Sequence, residues 1–482
     1  MDMQATPEVA RKALEAAFLA QRNAHRADPF PSLQQRRERL ERLKAMTEAH
    51  GAALAEAISA DFGHRSSHET RLAEISLTIS TVRHAQRHLA RWMKPRRAPT
   101  AIQFLPAKNV LMRQPLGVVG IIAPWNYPYL LAMSPAVGAL AAGNRVMIKP
   151  SEFTPRFSAL LAALVAEYFE PSEMTVVTGD MEVGQAFSEL PFDHLIFTGS
   201  TATGRRVAVA AAKNLTPVTL ELGGKSPAII DPSADLDAAA ASLAFGKLLN
   251  AGQTCVAPDY ILVPEDKRDA LVAALKAAAE KMYPRLADNP DYTAIINERH
   301  YQRLESLLAD AVAGGAQLVP LTQAAGAEVR RAKAVRKFPP TLVMRTTPEM
   351  RIMQEEIFGP VLPVVTYRND IQEAIDYVNG RDRPLALYWY GKDGRNRELV
   401  LAKTVSGGVT INDCIWHLCQ EEQPFGGVGP SGMGAYHGEW GFRALSKEKP
   451  VFHQSRLSGI GLLHPPYGKT FETMLRVLRI IG

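Results

Sequence analysis

Three cysteines in 482 residues, at positions 255, 414 and 419, are too few and too odd in number for a disulfide framework, and they point to a reducing compartment. Long apolar runs are also missing: no stretch reaches the ~20 residues that span a bilayer. The opening Met-Asp-Met-Gln, followed by alternating charge and alanine, lacks the apolar centre of a secretory leader. A cytoplasmic protein without membrane association is therefore expected. Basic residues cluster only in short pairs (Arg36-Arg37, Arg96-Arg97, Arg330-Arg331), no C-x-x-C finger occurs, and the net charge of +6 is small for the length, so no nucleic-acid partner is expected. Cys414, His417 and Cys419 are spaced like ligands. They fall in one apolar run with no second ligand pair, so packing or pocket lining is the expectation and no metal is predicted. No G-x-G-x-x-G follows the first buried strand, which leaves the usual dinucleotide fingerprint unfilled.

What is present is an ordinary globular composition, 46% hydrophobic and 22% charged, in a chain longer than one core usually grows. Two or three domains follow. Residues 7–94 are helical in pattern, with Leu40, Leu43 and Leu54 on one face of 33–58 and Leu72, Ile75, Ile79 and Val82 on one face of 69–93. Pro95 and Pro99 stop the last helix. Residues 101–114 read as a β-hairpin around Pro106-Ala107-Lys108-Asn109. Strands at 118–123, 146–149, 175–177, 195–198 and 218–222 then alternate with helices at 130–142, 156–169, 183–190 and 202–214. That alternation predicts an α/β fold with a parallel, doubly wound sheet whose ligands bind at the carboxyl ends of its strands. Asn126, Lys149, Glu152 and Gly199 fall there. Helices at 234–249, 267–282 and 298–314 and strands at 228–231 and 361–366 mark a second α/β region, in which 324–338 reads as a polar, basic surface loop.

The chemistry converges on Cys255, in the turn Asn250-Ala251-Gly252-Gln253-Thr254-Cys255. Taken alone, it reads first as a small buried hydrophobe, with a nucleophile as the alternative. Its company favours chemistry. Glu221 is a carboxylate inside an apolar strand, where charge is costly without a role, and Gly223-Gly224 follow it. Asn126 is an amide donor in the Pro-bracketed loop Pro124-Trp125-Asn126-Tyr127-Pro128. A thiol, a carboxylate and an amide donor suffice to attack a carbonyl, activate water and hold an oxyanion.

These segments, with Ile148–Glu152, Phe197–Thr201, Glu355–Pro360 and Pro424–Gly429, resemble the aldehyde dehydrogenase superfamily, as does the 34-residue spacing from Glu221 to Cys255. The resemblance implies NAD(P)-dependent oxidation of an aldehyde through a cysteine thioester. Cys255 would be the nucleophile, Glu221 the base and Asn126 an oxyanion donor. It implies a Rossmann-like cofactor domain (1–98 and 118–221), a catalytic domain (222–407), a β bridging arm (99–117 and 408–455) and a tail (456–482). Cofactor contacts would come from Trp125, Lys149, Glu152, Thr198, Gly199, Ser200, Gly204, Glu356 and Phe358. Acidic Glu152 should favour NAD, with NADP possible. Without the resemblance, Ser200 reads as a helix cap and Glu355-Glu356 as a solvated turn. Within the superfamily the short N-terminus and Gly432–Gly438 are similar to the class 3 group, which implies a homodimer. Pro465-Pro466-Tyr467-Gly468-Lys469 is similar to the tail of bacterial coniferyl aldehyde dehydrogenases. Tyr127, Trp416 and His417 are then expected in the substrate pocket. The competing readings are a long-chain fatty aldehyde dehydrogenase, a CoA-acylating enzyme or a non-enzymatic structural relative. The tail helix, with Phe471, Met474, Leu475, Leu478 and Ile481 on one face, reads as docked on the body, on a membrane surface or over the substrate entrance.

Overall fold

The computed structural model describes residues 7–481. Helices Pro7–Ala27 and Leu33–Phe62 come first, and a helical run from Ser67 to Met93 follows, with a π-helical turn at Arg71–Ser76. Ser32 starts the second helix with a reciprocal cap, its side chain accepting from Gln35 N while the Gln35 side chain accepts from Ser32 N. Leu40, Leu43, Leu54 and Ile58 point into the core as their spacing predicts.

Strand β1 (Arg96–Ala98) pairs antiparallel with β2 (Lys108–Pro115), Arg96 opposite Leu111. This corrects the expected hairpin. Ile102–Phe104 form a 3-10 turn instead of a strand, and the partner of β2 lies upstream, directly after the helix. The Pro106 turn supplies the bend but no register, because the residues before it have no strand to pair with.

Five parallel strands come next: β3 (Val118–Ile122), β4 (Arg145–Lys149), β5 (Met174–Val176), β6 (His194–Thr198) and β7 (Val218–Glu221). Their spatial order is β7-β6-β3-β4-β5. Apolar clusters cover both faces, as buried parallel strands require. The order reverses at β3, so a crevice opens between the carboxyl ends of β3 and β6.

A second sheet contains β8 (Pro227–Ile230), β9 (Tyr260–Pro264), β10 (Gln317–Pro320), β11 (Thr341–Met344), β12 (Val361–Tyr367), β13 (Ala386–Tyr390) and β14 (Gly408–Ile411) in the order β10-β11-β12-β9-β8-β13-β14. All neighbours are parallel except β10 and β11. The expected surface loop at 324–338 contains the helix Ala327–Ala334, whose Ala332 is buried together with Phe338. Basic residues cover the outer face of that helix, which hid its apolar anchors.

The segment expected to return to the arm divides three ways. Strand β14 closes the second sheet, β15 (Gly432–Met433) pairs with β7, and β16 (Ser446–His453) runs antiparallel to β2 over eight positions. The tail helix Lys469–Ile481 touches the turns Gly459–Leu463 and Ile102–Phe104, and Val477 and Ile480 stay exposed.

Candidate active site

Glu221 is the last residue of β7, pinned between Thr198 of β6 and Gly432 of β15. Its side chain is buried, and neither carboxylate oxygen has a hydrogen-bond partner. Burial pushes its carboxyl well above the ordinary 4.5. Such a group is a reservoir for a proton. Gly223, two residues on, lets the Glu356 carboxyl approach the backbone, since a Cβ there would lie 2.1 Å from it and displace that side chain.

The turn carrying Cys255 is strained. Asn250, Ala251 and Gly252 are consecutively left-handed, at φ 52°, 51° and 73°. Neighbouring groups over-determine this shape. Asn250 N donates to Glu69, and Asn250 Nδ2 donates to the carbonyls of Asn126 and Gln253. Gln253 Nε2 donates to the carbonyls of Asn250 and Ala294, and Gln253 Oε1 accepts from Ile296 N. Downstream, Tyr388 donates its hydroxyl to Val256 O. Burial, then Glu356 and Glu221, push the Cys255 thiol up to about 12, opposed by the N–H groups of Cys255 and Val256. At rest the sulfur holds its proton.

Asn126 sits in the loop after β3. Its Nδ2 donates to Gln253 O at 3.1 Å, and its carbonyl accepts from Arg65 Nη1 at 2.9 Å. An amide has two N–H groups, so one remains for the cleft that Asn126 lines together with Cys255. Arg65 is locked by a fully buried ion pair with Glu74 at 2.8 Å, and Glu74 also accepts from the backbone of Tyr129 and Leu130.

Two cavities meet at Cys255. An open cleft with room for about 530 Å³ lies along the carboxyl ends of β3, β6 and β7, lined by Trp125, Asn126, Thr198, Gly199, Ser200, Glu356 and Phe358 among others. A narrow apolar tunnel also reaches Cys255, walled by Tyr127, Leu130, Leu131, Phe245, Trp416 and Leu418. Thr198, Glu221 and Cys255 line both. Trp416 stacks on Phe245 at 5.9 Å and 13°.

Four sequence candidates fall outside these linings. Lys149, at the end of β4, donates to Pro150 O and stands 3.8 Å from Glu152. Gly204 serves packing, since a Cβ there would lie 2.6 Å from Leu222. His417 turns behind the tunnel wall, with Nδ1 bonded to Thr410 Oγ1 at 2.8 Å and its ring against Tyr388 and Phe425. Cys414 is buried and donates to Ser242 O, whereas Cys419 lines the tunnel.

Other residues were not singled out from the sequence. His300 lies edge-on to Trp125 at 5.1 Å, its pKa pushed down to about 4 by burial, and Arg303 donates to the carbonyls of Glu356 and Ile357. Both come from the helix Glu298–Ala313, which has no local motif. Lys225 pairs with buried Asp259, which accepts from Ile357 N, and so ties the Glu356 segment to the Cys255 turn. Lys247, buried 4.0 Å from Asp259, is pushed down to about 8 by burial.

The model of the aldehyde dehydrogenase family matches residues 3–451. The chain belongs to the aldehyde dehydrogenase family. It is 51% identical over 462 residues to a Pseudomonas aeruginosa protein named "Probable coniferyl aldehyde dehydrogenase", covering 96% of this chain and 95% of that one. Identity is 48% to the coniferyl aldehyde dehydrogenase of Pseudomonas sp. strain HR199, with 98% and 97% covered, and 39% to mouse aldehyde dehydrogenase family 3 member A2, with 91% and 88% covered. Among solved structures, a substrate-bound Staphylococcus aureus AldH superposes with a TM-score of 0.90 at 37% identity, covering 96% of this chain and 99% of that one. Aldehyde dehydrogenases oxidise aldehydes to carboxylates with NAD(P).

The cleft fits such a cofactor. It lies where the strand order reverses, beside the amino end of the helix Thr201–Ala212, whose cap Ser200 faces it. Trp125 and Phe358 meet edge to face at 5.4 Å and give the cleft an aromatic wall, and Glu356 offers carboxyl oxygens to hydroxyls.

Proposed function

We propose that the chain oxidises an aromatic aldehyde, coniferyl aldehyde to ferulate, with NAD as its preferred acceptor. The observation that carries this reading is the junction at Cys255 of an apolar, aromatic-walled tunnel with a polar cleft. Tyr127, Phe245 and Trp416 supply flat surfaces for a planar ring. The names of the relatives from P. aeruginosa and strain HR199 support the same substrate.

In this reading the Cys255 sulfur attacks the carbonyl carbon. Its thiol, held neutral by burial, releases its proton to solvent during attack, by way of the polar cleft that Cys255 lines. The new oxyanion takes hydrogen bonds from the free N–H of Asn126 and the Cys255 backbone N–H. Trp125, Thr198, Gly199, Ser200, Glu356 and Phe358 would hold NAD(P), which would accept the hydride leaving the carbonyl carbon. The acyl group remains on sulfur as a thioester. Glu221, in its ionised form, then takes a proton from the water that attacks the thioester, and the carbon–sulfur bond breaks. The proton of the new acid returns to sulfur to restore the thiol, and Glu221 releases its own proton to solvent.

Lys149 and Glu152 are assigned to the adenosine ribose, where the Glu152 carboxylate repels a 2′-phosphate. The antiparallel β1-β2-β16 arm, with Phe452 exposed, is assigned to homodimer formation. The test compares kcat/KM for coniferyl aldehyde with that for a long-chain aliphatic aldehyde, each with NAD and NADP. Preference for coniferyl aldehyde supports the assignment. Preference for the aliphatic chain replaces it with a fatty aldehyde dehydrogenase, and strict dependence on CoA replaces the hydrolytic step.

A further inference from the structure

Away from the catalytic cavities, the helix Leu77–Met93 carries His84 and His88 one turn apart on one face. The loop after Cys419 brings Glu422 across them. His84 Nε2 lies 3.7 Å and His88 Nε2 3.4 Å from the same oxygen, Glu422 Oε1. One ligand atom from each residue lies within 4.8 Å of the others, and this is the one such group among the described residues. Both separations exceed the usual range of an N–H···O hydrogen bond, roughly 2.7–3.2 Å. They match a different arrangement, since donors bound ~2.0–2.1 Å from a tetrahedral zinc ion stand roughly 3.3 Å apart.

We propose that His84, His88 and Glu422 bind one divalent transition ion of the zinc class, with the fourth position left to water. Two imidazoles and a carboxylate suit such an ion better than magnesium or calcium, which take oxygen ligands. The surroundings hold the donors ready. Trp92 stacks on His88 at 5.9 Å and packs on the His84 ring at 5.7 Å, which restricts both rings. Glu421 anchors the loop by accepting from the Thr81 hydroxyl and Gly438 N, and it adds negative charge beside the ion. No metal is expected from the sequence, although Cys414, His417 and Cys419 stand at ligand spacing there.

The site has a consequence for the tunnel. Trp416, Leu418 and Cys419 form part of the tunnel wall, and Glu422 ends the same segment. An ion shared by Glu422 and the two histidines staples that wall to the helix Leu77–Met93.

The test uses the full chain, stripped with chelator and titrated with Co2+ and Zn2+. One Co2+ per chain should bind with visible ligand-field bands and no thiolate-to-cobalt charge-transfer band, and Zn2+ should raise the thermal midpoint. His88→Gln and Glu422→Gln lie outside the catalytic machinery and should leave metal-free activity unchanged. Each should weaken Co2+ binding by roughly 10–100-fold or more and abolish the Zn2+-dependent thermal shift. Hydrogen exchange at 416–422 should slow on adding Zn2+ in the unsubstituted chain and not in either variant. A thiolate charge-transfer band, unchanged affinity in both variants, or no binding at millimolar Co2+ would overturn the proposal.

Discussion

The buried Glu221 carboxyl makes a prediction in which stability and catalysis move in opposite directions. Replacing it with glutamine keeps the shape and removes the ionisation. Below pH 4.5 the carboxyl is protonated in both the folded and unfolded chain, so it contributes nothing to pH dependence. Above 4.5 the unfolded chain releases this proton while the folded chain retains it, because burial raises the folded pKa well above 4.5. The unsubstituted protein therefore loses about 1.4 kcal/mol of stability per pH unit relative to Glu221→Gln, until pH passes the folded pKa. For 482 residues at roughly 2.1 cal/mol/K each, the unfolding entropy is about 1 kcal/mol/K, so the midpoint difference widens by about 1.4 °C per pH unit. Any cost of burying an unpaired glutamine amide is a constant offset that this slope ignores. Differential scanning calorimetry of both proteins between about pH 5.5 and 6.5 reads it directly. In parallel, stopped-flow measurement should give one equivalent of NADH as a burst from Glu221→Gln, followed by turnover slowed by roughly 10²–10⁴-fold. Midpoints that stay parallel with pH would refute the buried, unpaired carboxyl. A burst followed by normal turnover would refute its role as base.

Arg65→Met should reach the active site without touching substrate. It strands Glu74 in a fully buried position, an effect of roughly 3–5 kcal/mol, and it removes a donor from the Asn126 carbonyl. The expected outcome is a thermal midpoint lower by about 3–5 °C and a lower kcat, with kcat partly restored in Arg65→Lys. An unchanged kcat would show that Asn126 is positioned without Arg65. Glu152→Gln should raise kcat/KM for NADP by roughly tenfold, because one carboxylate near a 2′-phosphate is worth about 1–4 kcal/mol of repulsion. Equal ratios of NAD to NADP before and after the change would remove Glu152 from the adenosine subsite.

The sequence by itself determined the α/β class, the alternation that builds the first parallel sheet, and the convergence on Asn126, Glu221 and Cys255. These signals are local: buried parallel strands read as short apolar runs, and a carboxylate inside one of them stands out against its neighbours. The pairing of strands was less legible. One edge of β2 turned out to pair with Arg96–Ala98, and β14 joined the second sheet, because register depends on which edges remain free once the cores have formed. Only the tertiary structure decided that Cys255 stands where a cleft and a tunnel meet. It also decided that Arg65 braces Asn126, that His300 and Arg303 complete the cleft, and that His417 faces away from the tunnel. His84 and Glu422 make the point most plainly. They are separated by most of the chain, no local pattern links them, and only the packing of a loop across a helix brings their donor atoms to within ligand distance.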